Sequence, residues 1–473
     1  MIVLAIDQGT SGTKAIVVDG DGAVLAMAEE PVRPVYLHGG GVEQEPNELL
    51  NSVLAAGQRA VDSAGVLPDH VALANQGETV LAWNPTTGQP LSQAIVWQDR
   101  RSEQLCLDRA EHADLIAART GLVLDPYFSA PKMAWLRDSV TREGIVTTTD
   151  SWIVHHLTGE LVTDVSTASR SLLMNIDAVA WDPELLDVFG FGTEVLPRLV
   201  ACDETVGSTT AFGRAASVTG LIVDQQAALF AEACLSVGDA KCTYGTGAFL
   251  LANTGEQAVR STNGLTSSVA WTVRGRTDRC LDGQVYTAAS ALRWLADLGV
   301  LSDASSLDVE CGDDSGGVLF VPGLAGLAAP WWEPAACGAL VGMGLASSRG
   351  HVVRAVVEGI AAQVADLADV VARDLGHPLT HLRVDGGLTR STVLMQAQAD
   401  LLQIPIEVYP SPHATALGAA ALARIAADPT LSPIDAVSQW TPLAVIEPRW
   451  SADRAAEFLG RWRAAVDAAR SLA

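Results

Sequence analysis

The chain opens on an apolar run, "MIVLAID", turns polar and Gly-rich at "QGTSGT", and is apolar again at "KAIVVD". Short apolar runs bounded by turn residues predict buried strands, here a strand pair around a Gly/Thr/Ser tip. "GDG" adds a second turn and "AVLAMAEE" a third strand. The same grammar returns midway in "DAKCTYGTGAFLLANTGE": strand, Gly-Thr-Gly turn, strand. Later the period lengthens. Val352, Val353, Val356, Val357, Ile360, Val364, Leu367 and Val371 recur at helical spacing, predicting one long amphipathic helix that Gly376 would cap. "HLRVDGG" predicts a strand ending on a glycine pair, and "STVLMQAQADLL" the helix after it. "HATALGAAALARIAA" predicts a helix of small residues suited to close packing. Strands alternating with helices place the fold in the α/β class.

Length sharpens this picture. At 473 residues the chain exceeds the usual span of a single hydrophobic core. The two related hairpins suggest two lobes on one plan, with a boundary near 235: residues 1–235 and 236–473. With 49% apolar and 18% charged residues the composition is globular. No apolar run reaches the roughly 18 residues of a membrane span, and "MIVLAIDQGTSG" lacks the basic start of a signal peptide. The seven cysteines are scattered without a C-x-x-C pair, which predicts a reducing, cytoplasmic setting and no structural zinc. A net charge of −25 repels nucleic acid, so no such partner is expected.

Candidate chemistry gathers at the Gly-rich tips. In "DQGTSGTK" the backbone N–H groups and the hydroxyls of Thr10, Ser11 and Thr13 suit phosphate oxygens. Asp7 could hold Mg²⁺ through water, and Lys14 could offset phosphate charge. A tight hairpin needing glycine for its backbone is the plainer alternative. "TYGTGAF" and "VDGGLTRS" offer the same choice, and three such loops after apolar strands are harder to dismiss together. No Walker loop is present. Asp224 in "VDQQAALF" can be read as a helix N-cap and as a general base accepting an alcohol proton during phosphoryl transfer, and the two roles are compatible.

These motifs occur in order with "GVEQEPNELL", "NQGETVLAWNPTTGQPLSQAIVWQDRR", "TGLVLDPYFSAPKMAWLRD", "SWIVHHLTGELVTDVSTASRSLLMNI" and "LDGQVYTAASALRWL". Together they resemble the FGGY carbohydrate kinases, and within them the glycerol kinases. The resemblance implies two ribonuclease H-like (actin-like ATPase) lobes around a central cleft. ATP and Mg²⁺ would sit mainly on the second lobe, and a small polyol or sugar against the first. It implies Asp7 near the metal, Thr10 at the first phosphate tip, and Thr246 and Gly247 at the second. Ala289, Gly387 and Ser391 match nucleotide-contacting positions. Asp224 matches the catalytic base and Gln225 a substrate-hydroxyl partner, while Glu78, Trp97, Tyr127 and Phe249 match the lining of the polyol pocket. Members of the family are often dimers or tetramers, and a homo-oligomer is left open.

Gly77 departs from the pattern, because the resemblance places an arginine there that donates to the polyol. Two readings stay open at this point. Either the pocket is widened by about one CH–OH unit, favouring a tetritol such as erythritol or threitol, or another side chain reaches in and glycerol remains the substrate. A ketose such as xylulose is the runner-up among substrates. A non-catalytic actin-like sugar sensor is the alternative class, disfavoured by the presence of Asp224.

Overall fold

The structure is a computed structural model that describes residues 1–437 and 440–472. Six strands form the first large sheet: β1 (Val3–Gln8), β2 (Gly12–Val18), β3 (Val24–Pro31), β4 (His70–Asn75), β5 (Gly207–Thr209) and β6 (Ala216–Val223). Their spatial order is β5-β6-β4-β1-β2-β3. Seven form the second: β7 (Ala240–Tyr244), β8 (Ala248–Gly255), β9 (Thr266–Val273), β10 (Arg276–Val285), β11 (Leu382–Asp385), β12 (Ile406–Val408) and β13 (Ala444–Ile446). Their order is β9-β10-β8-β7-β11-β12-β13.

The two sheets share a plan. β1 pairs antiparallel with β2 and parallel with β4, and β7 pairs antiparallel with β8 and parallel with β11. The local echo between the two Gly/Thr hairpins is therefore the visible part of a repeated sheet. β1 and β7 are central, largely buried strands; β1 reads as an unbroken apolar run until Asp7, whereas β7 carries the buried Lys241 inside it. Short strands between residues 35 and 148 make a further five-stranded sheet beside the first lobe.

Seven helices matter for the site: α1 (Pro46–Ala64), α2 (Val165–Ser169), α3 (Asp224–Ala231), α4 (Ala289–Asp297), α5 (Arg349–Leu375), α6 (Thr392–Leu402) and α7 (Ala414–Ala427). α5 is the long helix predicted from periodicity. Ser348 and His351 form its capping box, and Gly376 closes it in the left-handed region at φ +77°. Its apolar stripe is buried against the second sheet, with Val352 at the partly covered end.

α7 follows a different logic from its place in the sequence. A division at 235 assigns it to the second lobe, yet it packs on α3 and on β1, β4 and β6 of the first. Small residues make this possible. A Cβ on Gly418 would lie 1.9 Å from the carbonyl oxygen of Ala227, inside any tolerable contact. Ala416, Ala419, Ala420 and Ala423 share the buried cluster with Val3, Ala5, Ala72 and Ala74. Among the described residues no helix is long and apolar enough to cross a membrane.

Candidate active site

Asp7 stands near the end of β1, level with Lys14 across the hairpin. Burial raises its carboxyl to about 6, with Lys14 pulling the other way. Asp224 is the first residue of α3, directly after β6, and its carboxylate accepts the Gln225 N–H at 2.7 Å. The N-cap position belongs to Val223, so the capping role for Asp224 does not hold. Burial lifts the Asp224 carboxyl to about 7, and the neighbouring charges of Asp7 and Glu78 add to the rise. A carboxyl poised near neutrality is suited to exchanging a proton with an alcohol.

Gln225 is oriented by a fully buried lysine. Lys241 Nζ donates to Gln225 Oε1 at 2.6 Å and to Thr243 Oγ1 at 2.6 Å, and Thr243 in turn donates to Asp385. An ammonium can only donate, so it fixes the amide oxygen inward and leaves the Gln225 NH₂ available to a hydroxyl. The third lysine has a related task. Lys132, also fully buried, donates to the carbonyls of Pro126, Tyr127 and Phe128 at 2.8, 2.5 and 2.6 Å, which fixes the loop carrying Tyr127.

Three aromatic rings meet edge to face. Trp97 lies 5.6 Å from Tyr127 and 6.2 Å from Phe249, centroid to centroid. Phe249 belongs to β8, so the aromatic wall draws on both lobes rather than on the first alone. Trp97 Nε1 donates to Thr10 Oγ1 at 2.9 Å, tying this wall to the first hairpin tip. A cavity of about 180 Å³ opens beside it, lined by Trp97, Gln98, Asp99, Arg100, Tyr127, Tyr286 and Ala325. A groove of about 960 Å³, lined by residues that include Asp366, Arg373 and Arg463, contains none of the predicted residues.

Glu78 and Gly77 sit in a tight turn where Thr79 N–H bonds the Gly77 carbonyl at 2.7 Å. Glu78 adopts φ +58°, a left-handed conformation that a non-glycine residue holds only at a cost and that aims its carboxylate. That carboxylate is bonded by Arg170, which also bonds Asp282 of β10 and approaches the Tyr127 hydroxyl at 3.4 Å. Burial pushes the Glu78 carboxyl up, and Arg170 pulls it back. Neither Arg170 nor Asp282 was singled out from the sequence. The available signal was a charge inside a small or apolar stretch, in "STASRSLLM" and "RCLDGQV".

The second tip is tightly held. A Cβ on Gly247 would meet the Val285 carbonyl at 2.4 Å, so only glycine fits. Gly245 N–H bonds the Gly247 carbonyl at 2.9 Å, while the first N–H groups of α4, those of Ala289 and Ser290, bond the Gly245 and Thr246 carbonyls. Ala289 thus lies against this loop. Gly386, at φ +95°, packs its Cα face onto Tyr244, whereas a Cβ on Gly387 would meet open space.

Two predicted hydroxyls point elsewhere. Thr13 is fully buried and shares a 2.6 Å hydrogen bond with Ser52 of α1, because alternate residues of β2 face the core. Its hydroxyl is not offered to a phosphate. Ser391 caps α6 and donates to Asp308, so its hydroxyl is already engaged. Ser11 is exposed at the first tip, with its carbonyl bonded by Val32 N–H.

Residues 2–231 match the N-terminal domain and residues 240–427 the C-terminal domain of the FGGY family of carbohydrate kinases. The chain is 41% identical to a glycerol kinase of Aromatoleum aromaticum, covering 99% of this chain and 98% of that protein. It is 38% identical to glycerol kinase 2 of Thermotoga maritima, with 98% of each covered. Among solved structures, the Plasmodium falciparum glycerol kinase with ADP superposes with a TM-score of 0.91 at 31% identity, covering 99% of this chain and 98% of that one. A xyloylose kinase from Brucella ovis gives 0.90 at 25% identity, with complete coverage of both chains. With both domains matched in order on the two-lobe actin-like scaffold, the chain belongs to the FGGY family of carbohydrate kinases, enzymes that transfer phosphate from ATP.

Proposed function

We propose that this kinase phosphorylates a terminal hydroxyl of glycerol or a comparably small polyol. One observation carries the reading: Asp224, with its carboxyl raised to about 7, shares its surroundings with the Glu78 carboxylate and heads the helix that bears Gln225. In this reading Glu78 accepts from a substrate hydroxyl, the Gln225 amide donates to one, and Trp97 and Phe249 pack on the C–H faces. The proton of the reacting hydroxyl passes to Asp224 as its oxygen bonds the γ-phosphorus, and the bond from that phosphorus to the β–γ bridging oxygen breaks. Thr10, Ser11 and Lys14 at the first tip, and Thr246, Gly247 and Gly387 at the second lobe, are placed in the proposal against the nucleotide phosphates.

Mg²⁺ fits the residues present. Asp385 raises the Asp7 carboxyl and Asp7 raises that of Asp224, as neighbouring negative charges do, and a hard cation would relieve this. Among the described residues no cluster of three or more metal-ligating side chains exists. That suits an ion held by one or two carboxylates together with phosphates. Asp7 would hold it through water, and the bound ion supplies neutralising charge for the phosphates.

The test is ATP-dependent phosphorylation, at matched concentrations, of glycerol, erythritol, both threitols, xylitol and D-xylulose. Highest kcat/KM on glycerol or a tetritol is the expected result, and a clear preference for xylulose would replace this reading with a ketose kinase. ATP binding without transfer to any of them would favour the sensor.

A further inference from the structure

We infer that Arg170 is a positioning residue of the polyol pocket and that, through Asp282, it makes the shape of that pocket depend on the second lobe. The inference rests on the polyol-kinase reading above. Arg170 follows α2 in the first lobe and its side chain is 6% exposed. One guanidinium serves two carboxylates: Glu78 from the first lobe, 4% exposed, and Asp282 from β10 of the second, 5% exposed. It also lies over the rings of Tyr127 and Phe128, at 5.5 and 5.6 Å from their centroids. Arginine alone among side chains offers a rigid five-donor fork that stays charged, so it can span two carboxylates while lying flat on an aromatic ring.

Gly77 is the second half of the observation. A Cβ at that position would meet Val223 Cγ2 at 3.0 Å and Arg170 Cδ at 3.9 Å. The stem of Arg170 therefore runs past the space that a side chain at 77 would need. The absence of a side chain there does not leave a void. Val223 Cγ2 crowds that space and Arg170, from 93 residues further along the chain, borders it at ordinary contact distance, so the pocket keeps a cation.

The placement has a mechanical consequence. Glu78 and Tyr127 both line the proposed pocket, and both are held by Arg170. Arg170 is held in turn by Asp282, which moves with the nucleotide lobe. When the lobes part, Arg170 loses one of its two carboxylates and the two polyol contacts lose their fixed partner. Polyol affinity is thereby coupled to closure, and by linkage a bound polyol favours the closed lobes.

Two full-length variants test this. Asp282→Asn removes the negative charge that holds Arg170 across the lobes while leaving Arg170 and Glu78 intact. Arg170→Lys keeps a buried cation without the fork, and serves if Asp282→Asn does not fold. Each is compared with wild type for KM of glycerol, KM of ATP, kcat and thermal midpoint. The expected result is a glycerol KM raised tenfold or more with the ATP KM within twofold, although Asp282 belongs to the nucleotide lobe. Small-angle scattering should also show glycerol compacting the wild type at concentrations that leave the variant extended. An unchanged glycerol KM in a folded variant, or both KM values rising together, would overturn the inference alone. A wild type inactive on every polyol would overturn it together with the proposed function.

Discussion

At Gly9–Gly12 the hairpin tip closes on itself through one bond, Gly9 N–H to the Gly12 carbonyl at 3.0 Å, and reaches its surroundings mainly through Thr10. At Gly245–Gly247 a similar bond is reinforced by the first turn of α4 and by the Val285 carbonyl pressed against Gly247. One sequence grammar has thus produced a first tip that is open at Gly9 but close to the Glu30 carbonyl at Gly12, and a second that is clamped harder, at Gly247. The clamped tip is in the lobe expected to hold the nucleotide, where fixed N–H groups stabilise developing charge without rearranging. The first tip borders the aromatic wall. Asp224 lies electrically between them: Asp7 of the first hairpin raises its carboxyl and Lys241 of the second lowers it.

The largest expected effect comes from removing that shared residue. Asp224→Asn should lower kcat by about 10²–10⁴-fold, the usual range for a lost general base, while ATP still binds, as a coupled ADP assay with nucleotide titration would show. Gly247→Ala should cost about 2–3 kcal/mol of stability and weaken ATP binding, since the rigid carbonyl must retreat. Gly9→Ala, whose Cβ would meet only the Gly12 carbonyl at 3.3 Å, should cost less than about 1 kcal/mol. Equal losses in thermal unfolding would erase the distinction between clamped and open tips.

The titration of Asp224 gives a subtler effect. Its carboxyl is raised from 3.8 to about 7 on folding, so between those values the native state keeps a proton that the unfolded chain has released. Its contribution to stability therefore falls as pH rises from about 4 to 7 and is flat above. In metal-free protein, Asp224→Asn should recover on the order of 1–3 kcal/mol at pH 8 and almost nothing at pH 4. Denaturant midpoints at the two pH values measure it. Smallest is Thr10→Val, which removes the hydrogen bond from Trp97, worth about 1 kcal/mol. It should raise the KM of the polyol several-fold through the freed Trp97 and that of ATP through the lost hydroxyl, whereas Gly247→Ala should weaken ATP binding alone.

Locally encoded features were legible in the sequence. The long helix α5 showed itself because its apolar stripe repeats over 27 residues between a capping serine and a glycine. Both hairpins showed themselves through apolar runs that break at Gly and Thr. Contacts made across the chain were not legible. Arg170 and Asp282 are 112 residues apart, and no periodicity links them. The inward turn of Thr13 depended on which face of β2 meets α1, and only the packed structure fixes that. Gly77 was readable as a departure, yet what fills the space beside it was invisible without Arg170. Asp224 was identified by its setting, while its exact helical position required the backbone.

The docking of α7 onto the first sheet bears on how the protein is made. A ribosome releases β1, β4, β6 and α3 long before the helix that covers them, which ends at Ala427. At about 5–20 residues per second, the roughly 200 residues between Val223 and Ala427 take on the order of 10–40 s to synthesise. Throughout that interval one apolar face of the nascent N-terminal lobe has no partner within its own chain. Vectorial folding of this half therefore stops at an incomplete core until the small-residue helix arrives.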